Sequence, residues 1–369
     1  MKKYYFILIL IFYSFKGTAQ RLTNVSVNDL PKKVLVVSGG GSRGAWGAGV
    51  AKALSQNSNY VCVVGTSTGS LMAPLVILRK FDSLETAYTT QSQHDIFNVN
   101  PFKPNGAIRP LNALWRLIIG KRTLGESKNL KKLINKYFPI EDFNALKAQK
   151  KTVIVNVVNL TTDSLESKSS DDFPHELFKS WIWASGNEPV FMSLYHKKVK
   201  YLIKGKIKKI TNYYVDGGLR RVIPLQEGVA YAVKHHIRDI DVIINAPLTD
   251  TTNAECIKPH YDPTILGSVL QTIDITLNEV KLENIKIGLD SAKMGVNDFI
   301  RVRIISMPVD LYCKAQNELI FNKDIMKEFW DRGYNEWLNL PETPTQPAST
   351  INSVMILKSG MNNKAEIIK

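Results

Sequence analysis

The apolar residues of the chain fall into two alternating patterns. Lys33–Ser38, Tyr60–Val64 and Lys151–Leu160 carry runs rich in β-branched and other apolar residues, as strands buried on both faces do. The first two runs each break into a glycine turn and feed a helical segment, Arg43–Gln56 and Thr68 to about Lys80. Strand, turn and helix repeated in this way predict an α/β fold, a parallel sheet with helices on both faces. A mostly helical stretch follows. It holds Leu111–Ile119, rich in Leu, Ile and Trp, and Ser127–Tyr137, where Leu130, Leu133 and Ile134 fall at i, i+3, i+4.

Helix His175–Ala184 comes after the strand Lys151–Leu160, and Lys197–Lys209 then alternates lysine with apolar residues like an exposed hairpin. Asn212–Asp216 leads into the turn Asp216-Gly217-Gly218. Pro224 fits the first position of a helix running to about His235. Asp241–Ala246 reads as a buried strand, Pro263 to about Ala292 as a long helical pattern, Phe299–Ser306 as a strand and Lys323–Leu338 as a last helix. One domain over residues 31–338 is the simplest description, followed by a polar tail, 339–369, with a short strand at Val354–Leu357.

The N-terminus reads differently. Lys2 and Lys3 precede an apolar run, Tyr4 to Phe15, and Gly17-Thr18-Ala19 supplies small residues for cleavage before Gln20. That is the layout of a signal peptide over residues 1–19, so export to the periplasm, outer membrane or medium is expected. The run is shorter than the ~20 residues of a comfortable membrane span; an uncleaved anchor is the other reading.

Net charge is +15, and +12 without the first twenty residues, which hold three lysines and no acid. Such a surface attracts phosphates. No nucleic-acid motif accompanies the basic cluster, so the expected partner is an anionic membrane surface, where each lysine contributes ~1 kcal/mol. A solvated hairpin face is the plainer alternative. Cys62, Cys256 and Cys313 show no metal-ligand spacing, and their odd number argues against a disulfide framework. Cys62 reads as a small buried hydrophobe. His235 and His236 are adjacent, so on a helix they point about 100° apart. No metal and no cofactor are expected.

The chemistry concentrates at the two glycine turns. Gly39-Gly40-Gly41-Ser42-Arg43-Gly44 offers unobstructed N–H groups before a helix N-terminus, which favours an anion. Its spacing also satisfies GxGxxG, but a dinucleotide site wants an acidic residue ~20 positions onward, at the end of the second strand. That strand ends instead in Gly65-Thr66-Ser67. Gly65-Thr66-Ser67-Thr68-Gly69, between strand and helix, has the setting of a nucleophile elbow. A serine needs a base. His260, in Lys258-Pro259-His260-Tyr261, allows a formal triad with Ser67 and Asp216, although nothing marks it as catalytic. Asp216 alone reads as an ordinary Asp-Gly turn.

Taken together, SGGGSRG at 38–44, GTSTG at 65–69 and DGG at 216–218 resemble the patatin-like phospholipase family. RGAWGAGVAKAL after the first loop and the Ala-Ser-x-x-x-Pro-x-Phe spacing of Ala184–Phe191 add to the likeness, which runs from Lys33 to Ile244. The resemblance implies a three-layer α/β/α fold around a mostly parallel sheet. It also implies a lipid acyl hydrolase of phospholipase A type acting on phospholipids or other acyl lipids. By it Ser67 would be the nucleophile and Asp216 the general base of a dyad without histidine. Gly39, Gly40 and Gly41 would donate to the oxyanion, with Arg43 beside them. An aspartate is a weak base at its ordinary pKa of ~3.9; a dry pocket would strengthen it.

Two departures stand out. Ser38 replaces a common Asp, and Arg220-Arg221-Val222-Ile223-Pro224 replaces an Asn shortly before the Pro, which suggests arginines able to meet lipid phosphate. Leu111–Ile119 and Trp181–Trp183 are candidates for an acyl pocket, or simply core. An esterase on small soluble esters and a non-catalytic lipid-binding protein remain as alternatives.

Overall fold

The computed structural model describes residues 26–248, 280–292, 300–315 and 317–338, with the backbone of Val354–Lys358 and Glu366–Ile368. The signal-like segment, His260, and most of the tail and of the helical pattern from Pro263 lie outside the described residues.

Among the described residues ten strands form one sheet. They are β1 (Lys32–Val37), β2 (Asn59–Gly65), β3 (Thr152–Asn159), β4 (Ser164–Ser169), β5 (Tyr195–Ile203), β6 (Lys206–Asp216), β7 (Asp239–Ile244), β8 (Arg301–Ser306), β9 (Val354–Lys358) and β10 (Glu366–Ile368). The order is β10-β9-β8-β7-β1-β2-β3-β6-β5, with β4 also paired to β3. From β9 to β3 the neighbours are parallel. The margins, β10 on one side and β4 with the β5–β6 hairpin on the other, are antiparallel.

The helices that bear on the site are α1 (Gly44–Leu54), α2 (Thr68–Ile77), α3 (Pro110–Ile118), α4 (Lys128–Tyr137), α5 (His175–Ser185), α6 (Leu225–Lys234), α7 (280–292) and α8 (Lys323–Trp337). Side chains of β1 alternate between two cores, as a strand's must. Leu35 and Val37 join Trp46, Met72, Trp181 and Trp330 under α1, α2, α5 and α8. Val34 and Val36 join Val64, Val229, Val242 and Ile304 under α6 and α7. Three layers result, and the apolar runs follow from a sheet covered on both faces. Among the cysteines, Cys62 is free and buried in β2. Cys313 is disulfide-bonded, a pairing the odd number of cysteines argues against only as a framework.

One feature of the pairing builds the site. Gly65 at the end of β2 pairs with Val155 of β3, and Asp216 at the end of β6 pairs with Val157. β4 occupies the opposite edge of β3 over the same residues. The parallel β2 and the antiparallel β6 therefore meet end to end along one edge of β3, separated by ~7 Å of strand.

Candidate active site

Ser67 occupies the step between β2 and α2 with φ 55° and ψ −125°, a backbone state that costs ~1–3 kcal/mol for a residue with a Cβ. The surroundings impose it. A Cβ on Gly65 would lie 2.3 Å from the Gly69 carbonyl carbon, and one on Gly69 would lie 2.3 Å from the Val37 oxygen. The two flanking glycines let the strand end, the turn and the helix start cross in contact. The Ser67 N–H donates to Ser185 Oγ at 3.1 Å, and Ser70 Oγ donates to the Ser67 carbonyl at 2.6 Å. Both sides of the turn are thereby tied.

The first glycine loop lies against Ser67: a Cβ on Gly39 would sit 3.2 Å from Ser67 Cβ. Its three glycines are not equivalent. Gly39 N–H donates to Val222 O at 3.0 Å, so the expectation of three open donors narrows. Among the described residues, no backbone acceptor takes the N–H of Gly40 or Gly41. Gly40 has φ 143° and Gly41 φ 51°, and a Cβ on Gly41 would meet the Glu318 carbonyl oxygen at 2.2 Å. Ser42 N–H donates to that same oxygen at 2.8 Å.

Arg43 does stand beside the loop, but its guanidinium is committed elsewhere. It pairs with the Glu318 carboxylate and lies 4.5 Å from the Tyr312 ring centroid. It clamps the 317–320 segment over the loop rather than reaching an oxyanion. Ser38 replaces the commoner Asp with a small network. Its Oγ donates to Gly39 O at 2.8 Å and accepts the Asn245 N–H at 2.9 Å, while Asn245 Nδ2 donates to Ser38 O at 3.0 Å.

Asp216 is buried at the end of β6. Its Oδ1 accepts the Gly218 N–H at 2.7 Å, and its N–H donates to Asn187 O at 3.0 Å. Oδ2 is buried outside ordinary hydrogen-bond geometry, with the Ser67 hydroxyl among the groups acting on the carboxyl. In uncomplexed enzymes such contacts are often loose. Burial pushes the Asp216 pKa up to about 7, against the pull of the nearby Ser67 hydroxyl and the Gly218 N–H hydrogen bond and with help from the negative charge of Glu318. Asp241 is the instructive contrast. It is as deeply buried, yet Arg303 holds it through two 2.7 Å hydrogen bonds and Tyr60 donates at 2.7 Å. Burial would raise its pKa, but Arg303 and Lys33 outweigh that and hold it low. Among the described residues no such cation acts on Asp216, so it retains a higher affinity for a proton.

A small cleft opens beside Ser67 and Gly41. Leu71, Ile96, Leu130, Met192, Leu319 and Phe321 give it an apolar wall. Neither expected tryptophan-bearing stretch lines it. Trp181 is core, edge-on to Tyr195 and Tyr214, and Trp183 is buried, donating to Ser127 O at 3.1 Å. Apart from Ala113, Leu111–Ile119 is neither pocket nor core, for its large apolar side chains face solvent. Of the two arginines after Asp216, Arg221 is tied to Gln226 and lies 3.8 Å from Glu227, while Arg220 is exposed.

Sequence reasoning missed Ser185 as the acceptor for Ser67, although it stands in the Ala184–Phe191 segment. It also missed Glu318, whose neighbourhood carries no local pattern.

The patatin-like phospholipase family model matches residues 35–229. That is more than half of the chain, and this protein belongs to that family, whose members are lipid acyl hydrolases. Among solved structures, VipD from Legionella pneumophila is similar at 14% identity and a TM-score of 0.35, covering 82% of this chain and 67% of its own. No curated protein matches the chain.

Proposed function

We propose that this protein is a serine carboxylic ester hydrolase of phospholipase A type, with Ser67 as nucleophile and Asp216 as general base. The observation that carries the reading is the meeting of two strand ends: a serine on a positive-φ elbow beside a buried aspartate that no cation among the described residues neutralises. A pKa near 7 suits a base working at neutral pH.

In this mechanism Ser67 Oγ attacks the acyl carbonyl carbon as its proton passes to Asp216. The developing oxyanion takes the free N–H groups of Gly40 and Gly41, each such donor being worth ~2.7–4 kcal/mol. Collapse expels the alcohol, which receives the proton from Asp216 and leaves an acyl-Ser67. Water then attacks that ester with Asp216 again as base. The apolar wall of the cleft suits an acyl chain. No step calls for a metal or cofactor.

Phospholipids or related acyl lipids are the proposed substrates. Export is proposed from the N-terminal pattern, and the disulfide at Cys313 is in keeping with an oxidising compartment.

The test is mass spectrometry of products after exposure of the purified protein to a mixed lipid extract. Free fatty acid and lysolipid are expected from the parent and neither from Ser67→Ala. Hydrolysis at the parent rate by Ser67→Ala would overturn the mechanism.

A further inference from the structure

Helix α3 is turned inside out. Its charged residue, Arg116, is 7% exposed, donating from Nε to Thr123 O at 2.7 Å and pairing with Glu126 at 3.2 Å. Its large apolar residues point the other way, with Leu111 81%, Trp115 61%, Leu117 65% and Ile118 67% exposed. A helix meant to face water would reverse that arrangement. A contiguous exposed apolar face of this kind marks a contact surface.

The neighbouring β5–β6 hairpin carries a second unusual feature. Seven lysines and no acidic residue lie between Pro189 and Val215. Lys200 stands directly opposite Lys209, and at the tip Leu202 pairs with Ile207, the two being 76% and 72% exposed. Like charges placed opposite each other destabilise a strand pair, and an anion laid across them would relieve that. An exposed apolar tip flanked by lysines suits the boundary between lipid headgroups and acyl chains.

The segment after α3 connects these features to the cleft. The Arg122 guanidinium lies 4.7 Å from the Tyr213 ring of the hairpin. Leu124 N–H donates to Val190 O at 2.7 Å. Ser127 Oγ donates to Asn187 Oδ1 at 2.5 Å, and Asn187 O holds the Asp216 N–H. The next helix, α4, supplies Leu130 to the cleft wall.

We propose that α3 and the β5–β6 hairpin form one docking surface for an anionic phospholipid membrane, with the side chains of α3 entering the acyl region and the lysines meeting headgroup phosphates. A second copy of the chain is a poorer occupant, because it would bring its own lysines against these. The choice of a membrane rests on the lipid-hydrolase reading, but docking itself needs no turnover.

The test is co-sedimentation of the Ser67→Ala protein with phosphatidylcholine vesicles containing or lacking phosphatidylglycerol. Among the tryptophans Trp115 is exposed and the others are buried, so quenching by brominated lipid reports its insertion. Binding that depends on phosphatidylglycerol and falls with added salt is expected. Leu114→Gln with Ile118→Gln should lower partitioning roughly tenfold or more. Lys198→Gln with Lys200→Gln and Lys209→Gln, which share the face of Leu202 and Ile207, should abolish the preference for anionic vesicles.

The proposal is overturned if the parent does not bind vesicles, or if the α3 variant binds them as well as the parent does. A concentration-dependent dimer that the α3 variant abolishes, with vesicle binding unchanged, would assign the face to a second copy. Vesicle binding without hydrolysis of a short-chain ester by the protein with Ser67 intact would leave docking standing and sink the hydrolase reading.

Discussion

Replacing Asp216 by asparagine removes a charge while keeping the shape, and its consequences can be worked from the structure. The carboxyl titrates at about 7 when folded, against ~3.9 in an unfolded chain. The folded protein therefore keeps this proton over a range where the unfolded chain has released it, and stability falls as pH rises from ~4 through 7. That difference corresponds to about 4 kcal/mol at pH 8 and to under ~2 kcal/mol at pH 5. Asparagine carries no charge and retains an oxygen for the Gly218 N–H. Urea denaturation should thus show Asp216→Asn more stable than the parent, with a gain larger at pH 8 than at pH 5. Ester hydrolysis should fall by about a thousandfold or more in the same protein. In the parent, kcat/KM should lose its activity as pH drops through about 7, where Asp216 takes up its proton. An equal gain at both pH values, or a variant less stable at pH 8, would refute the claim that this carboxylate is a costly buried charge.

Other expectations follow from single contacts. Gly41→Ala places a Cβ 2.2 Å from Glu318 O on a φ of 51°, so turnover should drop at least about a hundredfold while circular dichroism shows the fold retained. Ser185→Ala removes the acceptor of the Ser67 N–H and should lower kcat by roughly tenfold with KM little changed. Arg220→Ala should shift the ratio of rates on anionic and neutral lipids towards neutral, and an unchanged ratio removes Arg220 from headgroup recognition. His260→Ala should leave turnover at the parent level; a severe loss would restore a triad.

The sequence was most legible where local chemistry decides structure. β1, β2, β3 and β8 begin and end within a residue or two of their apolar runs, because glycine turns and buried-strand composition bound them. β4 was missed: Ser164–Ser169 is polar and partly exposed, held by pairing to β3 rather than by any apolar pattern of its own. The helix expected to run from Thr68 to Lys80 stops at Ile77, and Arg79 takes a φ of 57° before a new helix starts at Phe81. Leu111–Ile119 was misjudged for a different reason. Its helical nature was visible, but its facing is decided by Arg116 and Glu126, whose pairing no periodicity reveals.

The candidate site divides in the same way. Ser67 and the glycine loop sit on consecutive strand-turn-helix units and announce themselves. Asp216 reaches Ser67 because β3 exchanges one partner strand for another at Val155–Val157, which no local motif displays. The resemblance of three motifs stood in for that missing geometry. It did not foresee that Val222 occupies the N–H of Gly39 or that Glu318 occupies Arg43.

The most direct measurement on the dyad is peptide mass spectrometry after reaction with a long-chain alkyl phosphonate ester, which traps an activated serine. The phosphonyl group should be found on Ser67 in the parent, be absent from Ser67→Ala, and appear far more slowly in Asp216→Asn. Labelling of another serine, or labelling of Ser67 at the same rate without the Asp216 carboxylate, would contradict the pairing of Ser67 with Asp216.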